Sequence, residues 1–397
     1  MKQILISSFD MAIGGVERSL ISLLNSINYN RYKVDLMLYK HEGEFFSLIP
    51  EGPKLLSEIP QYTTFRKSIS QILREKQYCI GLSRIISKIN ANLTGRINGF
   101  SEPGYYQMQL MWRYALPFLP RTYKEYDVAI SYLWPHYFIK NKVNAKTKIA
   151  WIHTDYSMVE TKVDLDLKMW NKFNHIVAVS QECKNAFLQK YDQLENKVVV
   201  IENITSPEFI RRMADEEVEN PMVDDTRFKL LTVGRLSHAK GIDNAVSALR
   251  ALKDKGYDNV VWYVVGYGDE EALIKKLILR NGLDNSFILL GKHTNPYPFM
   301  KACDLYVQPS RYEGKAVTVT EAQILGKPVV ITNYTTANSQ VKNGFDGYIT
   351  ELSVEGIARG IEQLFNDHEL RKKLANNCNK TDYSNSFELN KLYRLLG

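Results

Sequence analysis

Pro309-Ser310-Arg311-Tyr312-Glu313-Gly314-Lys315-Ala316-Val317-Thr318-Val319-Thr320-Glu321-Ala322 follows directly on the apolar run Leu305-Tyr306-Val307. A short apolar run, a glycine-containing loop and then a helix-forming segment reads as strand, loop and helix, the repeating unit of an α/β sheet. With a helix beginning near Val317, Glu313 falls in the loop ahead of it and Glu321 in its early turns. Both carboxylates then lie near one helix N-terminus, whose free amides and dipole favour an anion. Carboxylates accept hydrogen bonds from sugar and ribose hydroxyls, so the combination suits a nucleotide sugar. On spacing alone a plainer reading is favoured, with Glu321 complementing the helix dipole and Glu313 a solvated loop residue, because such pairs are common.

The same rhythm extends on both sides. Strand-like runs stand at Phe228 to Val233, Val260 to Val265, Phe287 to Leu290 and Pro328 to Ile331, separated by helical stretches at Asp243 to Lys255 and Glu270 to Arg280. Upstream, Lys2 to Ser8, Gly14-Gly15 and the helical pattern Leu20 to Ile27 lead to Tyr32 to Leu38, a βαβ unit. Apolar runs at Val128 to Tyr132, Ile149 to Ile152 and His175 to Val179 continue the parallel-sheet pattern. Residues 208–227 are acidic, contain Pro221 and lack a sustained apolar period, and read as an interdomain linker. The expectation is α/β: an N-terminal Rossmann-like domain over 1–207 and a second over 228–379. Their sheets are parallel and face across a cleft, and a terminal helix near 380–397 packs back on the first domain.

A chain of 397 residues with 45% hydrophobic and 24% charged residues has material for two cores. No apolar stretch approaches the roughly 20 residues that span a bilayer, and the N-terminus runs straight into a strand, so the reading is neither secreted nor integral to a membrane. Cys79, Cys183, Cys303 and Cys378 form no metal-type or redox-type pair and read as buried free thiols. The net charge of +7 is unevenly placed. Residues 61–124 hold Arg66, Lys67, Arg74, Lys76, Arg84, Lys88, Arg96, Arg113, Arg121 and Lys124 against Glu75 and Glu102, a surplus of +8, and the remaining chain sums to −1. Ile80, Leu82, Ile85, Ile86 and Ile89 interleave with Arg84 and Lys88, and aromatic residues follow, among them Trp112, Tyr114, Phe118 and Tyr123. That pattern fits an anionic membrane surface and fits as well a solvated face over an ordinary core. Nucleic acid has no recognition motif to support it.

Other loops add phosphate-compatible residues at strand ends. Gly234-Arg235-Leu236-Ser237-His238-Ala239-Lys240-Gly241 offers two cations that could grip a diphosphate. Val265-Gly266-Tyr267-Gly268 and Gly291-Lys292-His293 supply further glycine turns, and Gly266-x-Gly268 is too short for a dinucleotide fingerprint.

Taken in order, Gly234-Arg235…Lys240-Gly241, Val265-Gly266-x-Gly268, Pro309-Ser310-x-x-Glu313-Gly314…Glu321-Ala322, Pro328-Val329-Val330 and Asn343-Gly344-Phe345-Asp346-Gly347-Tyr348 resemble glycosyltransferase family 4 of the retaining GT-B enzymes. The likeness is strong over residues 228–350 and weaker upstream, through Gly14-Gly15-Val16-Glu17 and Ile152-His153-Thr154-Asp155. It implies a retaining hexosyl transfer from a nucleotide-diphosphate sugar, a UDP-sugar being the expectation, to a glycan or lipid-linked acceptor. The setting it implies is capsule or lipopolysaccharide synthesis, in the cytoplasm or peripheral on the inner face of the cell membrane. Arg235 and Lys240 would then bind the diphosphate, Glu313 the donor-sugar hydroxyls and Glu321 the ribose. Gly314, Lys315, Ala316 and Val317 would hold sugar or phosphate through backbone amides, with Gly266, Gly268 and Lys292 lining the same site. Gly15 would approach the diphosphate and His153 the donor sugar; without the resemblance, His153 reads as a strand-end or core histidine. No paired-Asp motif is present, so neither metal nor cofactor is expected. Lys315-Ala316 departs from the family's usual Phe-Gly, which bears on the identity of the donor sugar. The alternative kept open is a non-catalytic nucleotide-sugar or glycan-binding protein on the same fold.

Overall fold

The computed structural model describes residues 1–12, 14–98, 104–154, 156, 159, 161–313 and 316–397. The chain forms two units, one of residues 1–205 with 385–397 and the other of 206–384.

The first unit is built on seven strands: β1 (Lys2–Ser8), β2 (Tyr32–Leu38), β3 (Lys54–Leu55), β4 (Glu125–Ser131), β5 (Asn144–Ile152), β6 (His175–Ala178) and β7 (Val198–Val200). Their order is β3-β2-β1-β4-β5-β6-β7, every pair parallel. Because helices cover both faces of a parallel sheet, its strands are apolar on both sides, and Ile4, Leu5 and Ile6 of β1 are all buried. An aromatic core surrounds Trp112, which stacks on Phe65 with ring centroids 4.0 Å apart. The terminal helix Ser386–Leu396 belongs to this unit: Glu388 accepts a hydrogen bond from the Glu202 amide at 3.0 Å, and Tyr393 stacks on Tyr32.

The second unit carries β8 (Phe228–Val233), β9 (Val260–Val265), β10 (Phe287–Gly291), β11 (Leu305–Gln308), β12 (Val329–Thr332) and β13 (Tyr348–Thr350). The order is β10-β9-β8-β11-β12-β13, again parallel throughout. Val260 to Val265 are buried without exception, and the indole of Trp262 donates to Thr232 Oγ1 at 3.0 Å, so the polar atom of this core side chain is paired.

Three sequence readings need correction. The stretch taken as a linker is not all loop: Pro207–Ala214 is a helix of the second unit, capped by Ser206 and burying Phe209, Ile210 and Met213. Its apolar residues cover one face between Glu208, Arg211 and Arg212, too short a period to stand out against the charge. Cys79 is exposed and Cys183 partly so; only Cys303 and Cys378 are buried. The basic surplus is also less available than its count suggests. Arg66 pairs with Asp10 at 2.6 Å, Lys67 with Glu75 at 2.7 Å and Lys124 with Asp35 at 2.7 Å, while the Arg84 guanidinium donates to the Thr64 and Lys67 carbonyls. Among the described residues no helix is long and apolar enough to cross a membrane.

Candidate functional site

In the second sheet the chain lays β9 and β10 to one side of β8 and β12 and β13 to the far side of β11. The strand order therefore reverses between β8 and β11. Loops leaving the carboxyl ends of strands diverge at such a point and leave a crevice, the usual ligand site of an open parallel sheet. The sequence sends Arg235 and Lys240 out of β8 and Glu313 out of β11, to this one place.

Two loops are locked together here. Lys240 ends the short turn His238–Lys240, and Gly241 follows with φ of 62°, a left-handed backbone that suits glycine. A Cβ at position 241 would run into the Pro309 carbonyl, so only glycine allows the two loops to touch. The Arg311 amide donates to the Ala239 carbonyl at 2.8 Å, and the Arg311 guanidinium grips both carboxylate oxygens of Asp243 at 2.8 and 2.6 Å. Although burial acts to raise it, the hydrogen bond and charge of Arg311 hold the Asp243 carboxyl below the usual carboxylate range.

Within that frame the Lys240 ammonium lies 2.5 Å from Glu313 Oε1. The same oxygen accepts from Ser310 Oγ at 2.6 Å and from Gln308 Nε2 at 3.0 Å. The Gln308 amide is itself oriented, since its Oε1 accepts from the Tyr306 hydroxyl at 2.9 Å and its Nε2 also donates to Ser310 Oγ at 2.8 Å. Three donors thus converge on Oε1, whereas Oε2 accepts nothing from the described residues. The turn Ala337–Ser339 and its neighbours clasp the loop from outside: Thr336 Oγ1 donates to the Glu313 carbonyl at 2.9 Å, and the Ala316 amide donates to Gln340 Oε1 at 3.0 Å.

The helix after the loop runs Val317–Ile324, so it begins where the sequence predicts. Ala316 precedes it without a side-chain cap; the Val319 amide donates to the Ala316 carbonyl at 3.0 Å, and the Val317 and Thr318 amides have no partner among the described residues, which suits an anion. Glu321 lies in its second turn, 2% exposed, and accepts from the Tyr297 hydroxyl at 2.9 Å. Arg235 is exposed and makes no ion pair among the described residues. Lys292 is exposed too, its ammonium 5.4 Å from the centre of the Tyr267 ring. Gly266 and Gly268 have a structural role in full view: a Cβ at either would strike the backbone of Gly234 or Leu236, whose amides donate to Val265 and Tyr267. Gly314 and Lys315 lie outside the described residues.

In the first unit the strand order reverses between β1 and β4. Gly15 begins the helix Gly15–Ser26, and a Cβ built there would meet nothing within 4 Å, so nothing in the described protein requires glycine at this position. His153 follows β5; its ring lies 4.7 Å from that of Tyr132, and its buried Nε2 has no hydrogen-bond partner among the described residues. Burial pushes its pKa down to about 3, against a hydrogen bond with the Tyr132 backbone. Asp155, part of the resemblance, lies outside the described residues.

Sequence reasoning passed over Gln308, Tyr297, Thr336, Gln340 and the Arg311–Asp243 pair. Only the Ser310–Glu313 spacing within one loop carried a local signal. A concavity of about 940 Å³ beside β13, lined by Glu351, Arg359 and His368 among others, contains none of the predicted site residues.

With this geometry in place, the comparisons are specific. Residues 213–381 match the family model of glycosyl transferases group 1. The chain is 31% identical over 214 residues to the capsular polysaccharide biosynthesis glycosyltransferase CapM of Staphylococcus aureus, covering 52% of this chain and 56% of CapM. It is 26% identical to the N,N'-diacetylbacillosaminyl-diphospho-undecaprenol alpha-1,3-N-acetylgalactosaminyltransferase of Campylobacter jejuni, covering 53% of this chain and 56% of that one. The chain thus spans a little over half the length of these curated relatives. S. aureus TarM, solved with fondaparinux, alpha-GlcNAc-glycerol and UDP, is similar over 100% of both chains with a TM-score of 0.65 at 16% identity. Two parallel sheets in this order, with a solved neighbour that follows the whole chain, give this protein the GT-B fold.

Proposed function

We propose that this protein is a retaining glycosyltransferase that moves a hexose from a nucleotide-diphosphate donor, a UDP-sugar, to a glycan or lipid-linked acceptor in cell-surface polysaccharide synthesis. The observation that carries the reading is the meeting of Lys240 and Glu313 at the reversal point of the second sheet, beside an uncapped helix N-terminus. The names of the relatives, capsular and lipid-linked glycan transferases, and the UDP bound to TarM, support the substrate class.

The chemistry asks for three things. The bond from the anomeric carbon to the diphosphate breaks, so negative charge grows on the leaving oxygen and positive charge on the sugar. Cations and dipoles placed in advance stabilise such charge without reorganising. Lys240, the exposed Arg235 and the Val317 and Thr318 amides are of that kind, with Val317 on the phosphate or sugar and Ala316, whose own amide donates to Gln340, lining the site. Glu313 is anchored through Oε1 and would use Oε2 to accept a donor-sugar hydroxyl, while Glu321 would take the ribose hydroxyls. For retention, the acceptor oxygen bonds to the anomeric carbon on the face the diphosphate leaves, and the acceptor proton passes to a phosphate oxygen. His153, neutral at physiological pH, would act as a hydrogen-bonding group to the donor, and Gly15 would let backbone approach the diphosphate. Gly314, Lys315, Gly266, Gly268 and Lys292 keep their proposed place in the donor site.

The test is a panel of nucleotide sugars scored for binding and for slow hydrolysis. One donor should be bound and hydrolysed above the rest, with the released sugar first appearing in the donor's anomeric configuration. A protein that binds a nucleotide sugar and never turns it over, with any acceptor glycan supplied, would leave only a binding role.

A further inference from the structure

The helix Tyr78–Asn98 has its polarity reversed. Ile80, Ser83, Ser87 and Ala91 are buried, and this inner face, mostly small residues, packs on the helix Gly104–Ala115. The register is pinned by Asn90, whose amide donates to the Tyr114 hydroxyl at 2.8 Å. On the outside stand Tyr78, Leu82, Ile86, Ile89 and Leu93, exposed by 61, 57, 46, 56 and 60%. Their spacing of four, four, three and four residues places them on one face of the helix. Leu73, 38% exposed at the end of the preceding helix Ile69–Arg74, joins the row. Single exposed apolar residues are ordinary, but an aligned row is an interaction surface.

Charge decides what the surface fits. Arg74, Lys76 and Lys88 flank the stripe, all exposed and all without an ion pair among the described residues. The nearby acid Glu75 is held by Lys67. A row of aliphatic side chains with an aromatic end and free cations at its margins matches the interfacial layer of an anionic bilayer. The apolar face enters the acyl boundary there and the long basic side chains reach back to the headgroups. We propose that the helix Tyr78–Asn98 seats this protein on anionic lipid, with Leu82, Ile86 and Ile89 inserted. The inference rests on this surface alone and not on the donor reading.

The experiment is flotation of the full chain with vesicles of phosphatidylcholine, with and without phosphatidylglycerol, at low salt and at about 1 M salt, where the Debye length is about 3 Å. Wild type should float with the anionic vesicles, and part should remain bound at high salt because inserted apolar area is not screened. Leu82→Gln, Ile86→Gln and Ile89→Gln together should cut the bound fraction at least tenfold, with the melting temperature and donor hydrolysis unchanged. Ile86→Trp, which keeps the face apolar, should be quenched by brominated lipid. Wild type that ignores anionic vesicles, a triple variant that floats as well as wild type, or an Ile86→Trp that brominated lipid does not quench would each overturn the proposal. Concentration-dependent dimerisation lost in the triple variant, with no lipid binding, would assign the stripe to a second copy of the chain instead.

Discussion

The Lys240 ammonium and Glu313 Oε1, separated by 2.5 Å, join the loop that leaves β8 to the loop that leaves β11. Each makes the other's position possible. The carboxylate, fixed by Ser310 and Gln308, holds the lysine at the crevice, and the lysine offsets the charge of a largely buried acid. A diphosphate arriving there would find a cation already in place.

Removing the cations separates their roles. Lys240→Ala and Arg235→Ala should each lower kcat about a hundredfold or more, the order of 3 kcal/mol expected for a contact to leaving-group charge in a shielded site. Arg235 is exposed, so its variant should melt as wild type does. Lys240→Ala leaves Glu313 short of a partner and should melt slightly lower. Near-normal turnover in either variant would remove it from the diphosphate site.

The two carboxylates should give different kinetic signatures. Glu321 is 2% exposed and bound by Tyr297, and the ribose contact proposed for it would be the same in ground and transition states, so Glu321→Gln should raise KM with little change in kcat. Glu313→Gln should lower kcat, because the contact proposed for it is to the reacting sugar. Steady-state kinetics with one donor distinguishes them, and matching profiles would contradict the assignment.

Glycines 15 and 266 make opposite predictions. Gly15→Ala adds a methyl where nothing lies within 4 Å, so stability should be unchanged within about 0.5 kcal/mol while donor-dependent turnover falls. Gly266→Ala would push a Cβ into the Gly234 carbonyl at a φ of 155° and should cost about 2 kcal/mol or more in a denaturation series. Equal activity of Gly15→Ala and wild type would leave that glycine without a ligand role.

Acid should weaken the first unit. Burial, with His153 adding to it, pushes His136 down to about 3, and burial does the same to His153. Both therefore stay neutral in the folded protein while their unfolded counterparts gain a proton below about 6.5. The unfolded state binds more protons between these values, so stability is present above pH 6.5 and is lost as pH falls toward 3. Between pH 6.5 and 5 each site contributes a loss of about 2 kcal/mol. Thermal melts at both pH values should show a smaller difference for His136→Gln than for wild type, and an undiminished difference would discount the buried imidazole.

Much of the sheet was legible because a parallel strand buried on both faces leaves a continuous apolar run, as Val260 to Val265 does. The strands that escaped notice, Lys54–Leu55, Val198–Val200 and Tyr348–Thr350, are two or three residues long and too brief to show a period. The start of the helix at Val317 was readable from the glycine loop before it. What surrounds Glu313 was not, because Thr336 reaches it from 23 residues away and Lys240 from 73, while Gln340 holds the neighbouring Ala316 from 24. The charge count misled for a related reason: partners such as Asp10 and Asp35 lie far along the chain from Arg66 and Lys124.

The most direct test of the donor site is calorimetric titration of UDP into wild type and into the double variant Arg235→Ala with Lys240→Ala. Wild type should bind UDP at one site, and the double variant should bind it at least tenfold more weakly with its fold intact. Wild type that does not bind UDP or any other nucleoside diphosphate, or a double variant that binds as tightly as wild type, would contradict the placement of the diphosphate between Lys240 and the helix Val317–Ile324.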